Sequence, residues 1–317
     1  MSNKKGWDNA FTAKDLYGTV EGSPSYAGAL SFMRRKFSRD LKGVDVAVVG
    51  IPLDLATTNR PGARFGPRGI RTASAGASWA RPYPWDFDPF DRLAVVDYGD
   101  CEFDPGTPES IVPFIEKYFA DILAQDVATL ALGGDHFVSY PVLKAYAAKH
   151  GPLSLVHFDA HSDTWSEATQ RLDHGTMFYH AVKEGLIDDS SSVQIGLRTT
   201  NDEPMGFNIL DARWVHENGP AAVAKKVKQI VGSNKVYLTF DIDCLDPAFA
   251  PGTGTPVCGG LSSHQALEII RNLAGINVVG MDLTEVAPIY DVGEVTSLAG
   301  AMLALEFLCL YACREVK

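Results

Sequence analysis

Residues 153–165 read LSLVHFDAHSDTW, an apolar run of strand character that ends in Asp159, His161 and Asp163. Side chains alternate between the two faces of an extended backbone, so these three residues, spaced two apart, are predicted to project to the same side. The alternative is a polar strand end facing solvent, but such turns favour Gly, Asn or Pro over acids that repel one another. The pattern therefore indicates a cation between the acids.

Two further strands are predicted to end in residues of the same kind. KVYLTFDIDCLDP at 235–247 is an apolar strand ending in Asp241 and Asp243, and VATLAL at 127–132 runs through GGDH to His136. Ligands of open α/β sheets bind outside the carboxyl ends of the parallel strands, where all three motifs are expected. Each motif alone is weak, but together they predict one shared metal site.

The composition describes an ordinary globular chain and limits its partners. Of 317 residues, 46% are hydrophobic and 21% are charged, which fits one large domain as well as two. The net charge of −11 argues against nucleic acid or an anionic membrane as a partner and tolerates a cationic ligand. The amino terminus has no apolar signal-peptide core, and five cysteines without paired spacing suit a reducing compartment, so a cytoplasmic protein is expected.

The rest of the chain alternates strands and helices in the manner of βαβ units. About eight strands are expected, buried on both faces because their apolar runs are continuous. No change in composition divides residues 44–317, which are predicted to form a single domain, and residues 1–43 are predicted to form an arm on the body or on a neighbouring subunit. The apolar stretch 297–313, interrupted by Glu306, falls short of the 18–20 or so residues of a membrane span and is expected to be a buried helix.

The candidate ligands at these strand ends are two imidazoles and four carboxylates. They are His136, His161, Asp159, Asp163, Asp241 and Asp243. Four carboxylates carry about four negative charges, which two divalent cations neutralise, and shared carboxylates can hold two metals about 3.5–4 Å apart. Such oxygen-rich sites suit manganese, with zinc or iron as alternatives. A metal pair supplies hydroxide at neutral pH, so hydrolysis is the predicted reaction class.

Other polar residues near the motifs bear on the substrate. A phosphatase would need Lys or Arg to hold phosphate, whereas the motifs offer acids. Glu285, in MDLTEVAP at another strand end, can accept a bidentate hydrogen bond from a planar guanidinium, although alone it would be taken for a surface acid. His174, in LDHGTMF, can carry protons, but its position alone does not distinguish it from other histidines. The histidines expected to be structural are His150, His157, His180, His216 and His264.

Five motifs, in order and spacing, resemble those of the ureohydrolases, the arginase and agmatinase family. They are GGDHFVSYP, HFDAHSDTW, LDHGTMFYH, FDIDCLDPAFAPGTGTP and GMDLTEVAP. The similarity extends from about residue 44 to the end and is greatest to bacterial agmatinases. It implies a three-layer α/β/α fold with a mostly parallel sheet, a binuclear manganese centre, homo-oligomers such as trimers or hexamers, and hydrolysis of a guanidino group to urea and an amine.

The resemblance also implies roles for individual residues. The six candidate ligands match the family's metal ligands, His174 matches its proton-shuttle histidine and Glu285 its guanidinium-binding glutamate. Asp163 is expected to take up the proton of the attacking hydroxide and pass it on. A metal-dependent deacetylase, with one zinc and fewer acids, and a non-catalytic metal-binding homologue, which would be expected to lack a ligand, are less favoured.

The loop TWSEATQRL at 164–172 occupies the place where family members recognise the far end of the substrate. It lacks the Asn and Ser pattern with which arginases bind an α-amino acid head. Arg171 in this loop is expected either to pair with a substrate carboxylate or to face water. Agmatine, cleaved to urea and putrescine, is therefore the first expectation, with guanidinobutanoate, guanidinopropionate or a related guanidino acid as the alternatives.

Overall fold

The computed structural model describes residues 26–77, 81–166, 171–202 and 205–314. Its strands are β1 (Val46–Gly50), β2 (Val95–Asp100), β3 (Ala128–Leu132), β4 (Ser154–Phe158), β5 (Val193–Ile195), β6 (Asn208–Leu210), β7 (Val236–Asp241) and β8 (Val278–Thr284). Within these ranges they form one sheet in the order β2-β1-β3-β8-β7-β4-β5-β6. Every neighbouring pair is parallel. The prediction of a parallel sheet of about eight strands is confirmed.

Helices cover both faces of this sheet. They are α1 (Gly66–Ser74), α2 (Pro89–Arg92), α3 (Ile111–Leu123), α4 (Ser139–His150), α5 (Met177–Lys183), α6 (Ala212–Asn218), α7 (Pro220–Val231), α8 (Ser263–Asn272) and α9 (Val295–Ala312). Along β1, Val46 and Val48 pack in one core with α1, α7, α8 and α9, whereas Ala47 and Val49 pack in a second core with α3, α4 and α5. The alternation of side chains thus produces the three layers that were expected.

Helix α9 is long and apolar enough to cross a membrane by length and composition, but 72% of it is buried inside the fold. Its acid, Glu306, is fully buried and accepts hydrogen bonds from Arg271 (Nη2–Oε1, 2.5 Å) and from the indole of Trp85 (2.5 Å). The prediction of a buried carboxyl-terminal helix is confirmed. The argument from length was wrong, because the helix reaches 18 residues. Its burial inside the fold is the observation that identifies it as a core helix.

The predicted arm at 1–43 lies partly outside the described residues, which begin at 26. Its described part packs on the body of the same chain. Phe32 and Met33 are fully buried in the first core, and their backbone N–H groups donate to Asp97 (2.7 Å) and Ser74 (2.8 Å). The domain boundary at residue 43 stays a prediction.

The sheet order determines where a site can form. Strands β3, β8, β7 and β4 are neighbours at the centre of the sheet, so their carboxyl ends meet along one edge. The loop after β1 reaches the same edge because Gly134, just beyond β3, allows a close approach: a Cβ at this position would overlap the carbonyl oxygen of Leu53. The backbone N–H of Asp135 donates to that oxygen at 2.7 Å.

Candidate active site

The six predicted metal ligands come together at the carboxyl ends of the central strands. They are His136 after β3, then Asp159, His161 and Asp163 after β4, and Asp241 and Asp243 at the end of β7. Two adjacent groups of ligand atoms form here, one from His136, His157, Asp159 and Asp163 and one from Asp159, His161 and Asp243, so Asp159 belongs to both.

The first group surrounds the Nδ1 atom of His136. Carboxylate oxygens lie 3.0 Å from this nitrogen in Asp159, 3.1 Å in Asp163 and 3.4 Å in Asp241. All four side chains are almost fully buried. Because buried carboxylates at this density repel one another, the arrangement calls for a cation, and His136, Asp159 and Asp163 belong to a group that is able to hold a metal ion.

The second group surrounds the Nδ1 atom of His161. It lies 3.3 Å from a carboxylate oxygen of Asp159 and 3.1 Å from one of Asp243. Asp159 directs its other oxygen at His136, so its two oxygens serve different groups. This carboxylate therefore lies between two neighbouring cation positions.

The titration of the cluster reflects its crowding. Burial acts to lower the pKa of His136, but contacts with three carboxylates outweigh it and raise the pKa well above the ordinary value. Burial and the charge of Asp243 raise the pKa of Asp241 well above its usual range, and burial together with the charge of Asp159 raises the pKa of Asp163 to about 7. In the metal-free chain these groups therefore hold protons at the positions where a metal ion would bind. A divalent cation can replace those protons, so the donor set fits such an ion.

The convergence of these residues was predicted for a reason that is wrong. Strand β4 ends at Phe158, and Asp163 has a left-handed backbone (φ 52°), so the alternation of an extended chain does not continue to it. After β7 a short 3₁₀ turn follows, in which the N–H of Asp243 donates to Asp241 at 2.8 Å. Loops beyond the strands, held by such contacts, bring the side chains together.

A chain of hydrogen bonds behind His136 fixes its tautomer. The hydroxyl of Thr239 donates to Asp282 at 2.5 Å and therefore accepts from His136 Nε2, 2.7 Å away. Asp282 also accepts from Ser139 (2.7 Å) and Tyr237 (2.8 Å) and is fully buried. With the Nε2 proton held by Thr239, Nδ1 is the nitrogen that donates to the carboxylates while it carries a proton and that would bind a metal ion once that proton leaves.

His157 belongs to this site, although it was expected to be only structural. Its Nε2 lies 2.8 Å from Asp159. The amide of Gln194 lies 3.1 Å from its Nδ1 and donates to the carbonyl of Ser162 at 2.6 Å. With Gln194 as donor to Nδ1, His157 donates from Nε2 and orients Asp159. Its position in β4, two residues before Asp159, is the sequence signal that identifies it.

Glu285 lies directly after β8, fully buried and with a left-handed backbone (φ 64°). Its Oε1 accepts the backbone N–H of His136 at 2.8 Å and lies 3.0 Å from Nδ1 of His174. Its Oε2 is buried and has no hydrogen-bond partner among the described residues. A buried carboxylate oxygen without a donor is costly, which is expected where a ligand supplies the donor.

His174, just before α5, lies between two partners. Its Nδ1 lies 3.0 Å from Glu285, and its Nε2 lies 3.0 Å from the backbone nitrogen and 2.7 Å from the hydroxyl of Thr58. Burial acts to lower the pKa of His174, but the hydrogen bond and charge of Glu285 raise it to about 9. The ring is therefore adjacent to the ligand cluster and suited to hold a proton.

A cavity of about 230 Å³ opens above the cluster. It is lined by Thr58, His161, Asp163, Trp165, Arg171, Asp173, His174, Gly175, Thr176, Asp241 and Thr255. Arg171 therefore lines the cavity, and its Nε lies 2.6 Å from Asp173, whereas its side chain is 53% exposed. Of the substrate-recognition loop predicted at 164–172, residues 167–170 lie outside the described ranges.

Comparisons with known proteins agree with this architecture. A family model described as the arginase family matches residues 44–310. A curated agmatinase from Chromobacterium violaceum is 57% identical over 98% of this chain and 96% of its own length, and one from Neisseria meningitidis serogroup C is 50% identical over 86% and 88%.

Solved structures give the same result. A hypothetical agmatinase from Burkholderia thailandensis has a TM-score of 0.90 and 59% identity, covering 91% of this chain and 92% of that one. The proclavaminate amidino hydrolase of Streptomyces clavuligerus has a TM-score of 0.85 and 39% identity, covering 92% and 99%.

The fold and the acidic site at its sheet edge thus define a member of the arginase family, to which this chain belongs. It is a ureohydrolase, and within the family it is similar to the bacterial agmatinases. The alternative of a metal-dependent deacetylase is wrong, because the family match spans nearly the whole predicted domain.

Proposed function

We propose that this chain hydrolyses agmatine to urea and putrescine, using two Mn²⁺ ions held by the six ligands. The observation that carries the proposal is the fully buried Glu285 beside the ligand cluster, because its unpartnered oxygen offers a place for a guanidinium group. The curated agmatinases with 50–57% identity support the same substrate.

The ligand set suits the metal that we propose. The first ion would be held by the group around His136 and the second by the group around His161, with Asp159 serving both. Oxygen-rich sites with some imidazole suit manganese, with zinc or iron as the alternatives. When bound, a pair of such ions lowers the pKa of a shared water toward neutrality and so supplies hydroxide.

Glu285 would bind and orient the substrate. Its Oε2, which has no partner among the described residues, would accept one N–H of the substrate guanidinium. Its Oε1 would accept a second N–H in place of His174, so the carboxylate receives both hydrogen bonds of the planar group. The group lies face-on to the nucleophile in this position, which supplies the orientation that the reaction needs. Because the pKa of a guanidinium is above about 12, the substrate enters as a cation and is attracted to the acids.

Two residues would move protons. Asp163, beside the two cation positions, takes up the proton of the attacking hydroxide. The bond between the guanidino carbon and the alkyl nitrogen then breaks, and the departing amine takes that proton. His174, whose pKa is lowered by burial but raised to about 9 by Glu285 while the two remain in contact, exchanges protons between this site and solvent.

The cavity favours a cationic tail over a carboxylate. Arg171 is the feature that would recognise a guanidino acid, but its Nε is paired with Asp173 in the wall of the cavity. This pairing reduces the positive charge available to a substrate carboxylate. It supports agmatine, whose far end is an ammonium, over guanidinobutanoate and guanidinopropionate.

We also propose a cytoplasmic homo-oligomer, a trimer or hexamer, that binds neither nucleic acid nor membranes. The family resemblance supports the assembly, and the net charge of −11 supports the absence of polyanionic partners. Light scattering after gel filtration tests the assembly, and a monomer at micromolar concentration would contradict it.

Urea release from the manganese-loaded chain tests the function. The substrates are agmatine, arginine, 4-guanidinobutanoate and 3-guanidinopropionate, each measured as kcat/KM. We expect the largest value with agmatine. A larger value with a guanidino acid would overturn the proposed substrate, and no urea from any of the four would overturn the reaction and favour a non-catalytic homologue.

A further inference from the structure

The loop that follows β1 is held firmly against the active site. Asp135, next to the ligand His136, accepts the backbone N–H of Ala56 at 2.9 Å, and Asp54 accepts that of Gly62 at 2.8 Å. Between these two anchors the loop carries Thr58, which lines the cavity. The backbone of Thr58 is thus positioned by the contacts of Ala56 and Gly62 as well as by His174.

Thr58 contacts the same atom of His174 through two groups of opposite character. Its backbone N–H, 3.0 Å from Nε2, can only donate, and its hydroxyl oxygen, 2.7 Å from Nε2, can donate or accept. A donating N–H requires an Nε2 without a proton. The neutral ring therefore carries its proton on Nδ1, where Glu285 accepts it at 3.0 Å.

A protonated ring uses the other contact. Once Nε2 carries a proton, the backbone N–H of Thr58 loses its acceptor, and the nearest acceptor for the new N–H is the Thr58 hydroxyl. The charged groups facing this ring, Glu285, Asp163 and Asp135, are all acids that favour its cationic form. Because these acids oppose loss of the proton, its release from His174 would be helped by a group that connects Nε2 to solvent.

We propose that Thr58 is a positioning residue for His174, whose backbone N–H holds the neutral ring and whose hydroxyl holds the protonated ring and passes its proton to solvent. The proposal rests on the proposed shuttle role of His174. In the transfer, the Nε2–H bond breaks as the proton joins the Thr58 oxygen, and the original hydroxyl proton leaves to water. Thr58 is solvent-exposed, so water reaches its hydroxyl.

The kinetic test compares substitutions of this threonine with one of its neighbour. Thr58→Val keeps the shape and the backbone N–H but removes the hydroxyl, so kcat for agmatine should fall about ten- to a hundredfold with KM within about twofold, as for one lost hydrogen bond to a charged group. Thr58→Ser restores the hydroxyl and should recover most of kcat. Thr57→Val is the matched control, because the buried Thr57 hydroxyl has no hydrogen-bond partner in the described structure.

A second measurement does not depend on turnover. Nitrogen NMR of the full chain with ¹⁵N-labelled histidine, free of paramagnetic metal, reports the His174 tautomer, and the signal is assigned by its loss in His174→Asn. We expect a neutral ring protonated on Nδ1, and in Thr58→Val a protonated form that is lost at lower pH than in the wild type.

The outcomes separate this proposal from the proposed function. Wild-type kcat in Thr58→Val, no rescue by Thr58→Ser, a neutral ring protonated on Nε2, or an unchanged midpoint would each overturn the role of Thr58. If the wild-type chain released no urea from agmatine, the proposed function would fail, while the NMR measurement would still decide whether Thr58 governs the state of His174.

Discussion

The inner edge of the active site and the outer rim of its cavity are built differently. At the inner edge the side chains lie at or a few residues beyond the ends of the central strands, all of the proposed ligands except His161 are almost fully buried, and contacts such as that of Thr239 with His136 fix them. At the rim, the side chain of Arg171 is 53% exposed and pairs with Asp173. The comparison places the proposed ligands at the edge of the sheet, and we propose that the exposed Arg171 at the rim contributes to the choice of substrate.

The largest effect is expected at the inner edge. Asp241→Ala removes a carboxylate close to His136, so activity should be abolished and metal content should fall. Asp121→Ala, on the exposed face of α3, is the control and should behave as wild type. Elemental analysis of the manganese-loaded wild type should give about two ions per chain, and a single ion at saturation would contradict the two-metal proposal.

A smaller effect is expected one contact away from the metal. Thr239→Val removes the hydroxyl that holds His136 Nε2, so metal affinity should weaken about ten- to a hundredfold, the range typical of such outer contacts. Thr129→Val is a matched control, because it removes a buried hydroxyl that contacts Tyr146 and no proposed ligand. Equal metal affinity in the two variants, measured by competition with a chelator, would show that the Asp282 chain does not support the site.

The inner edge should also respond to pH. Burial and Asp159 raise the pKa of Asp163 to about 7 in the metal-free chain, so below that pH a proton occupies a ligand that the metal needs without one. Metal affinity, which the protons of His136 and Asp241 already oppose at higher pH, should therefore decrease more steeply below about pH 7, by about a further tenfold per pH unit for the proton on Asp163. An affinity that stays constant between pH 7 and 5.5 would contradict this competition.

At the rim we expect a change of selectivity and not a loss of reaction. Asp173→Asn keeps an oxygen for the N–H of Gly175 but removes the negative charge beside Arg171. The ratio of kcat/KM for agmatine to that for 4-guanidinobutanoate should fall by about tenfold, equivalent to about 1.4 kcal/mol, while metal content stays unchanged. An unchanged ratio would mean that the pair does not contribute to substrate choice.

The sequence was sufficient for the inner edge and insufficient for the rim, for a physical reason. Continuous apolar runs and the polar residues after them identified the central strands and the ligands His136 and Asp159, because a parallel sheet places such ends together. The sequence did not identify Thr58 or the pairing of Arg171 with Asp173. Both depend on loops whose conformation is determined by tertiary contacts. Strand β6 was also not located, since it has three residues and lies at the edge of the sheet.

One measurement tests the central claim that a guanidinium binds to the carboxylate beside the metals. Glu285→Gln removes the charge and one acceptor without altering a proposed ligand, so kcat/KM for agmatine should fall at least tenfold, or about 1.4 kcal/mol. Metal content, determined on the same preparation, should equal that of the wild type. Wild-type kcat/KM for every guanidino substrate tried, at full metal content, would contradict the proposed function.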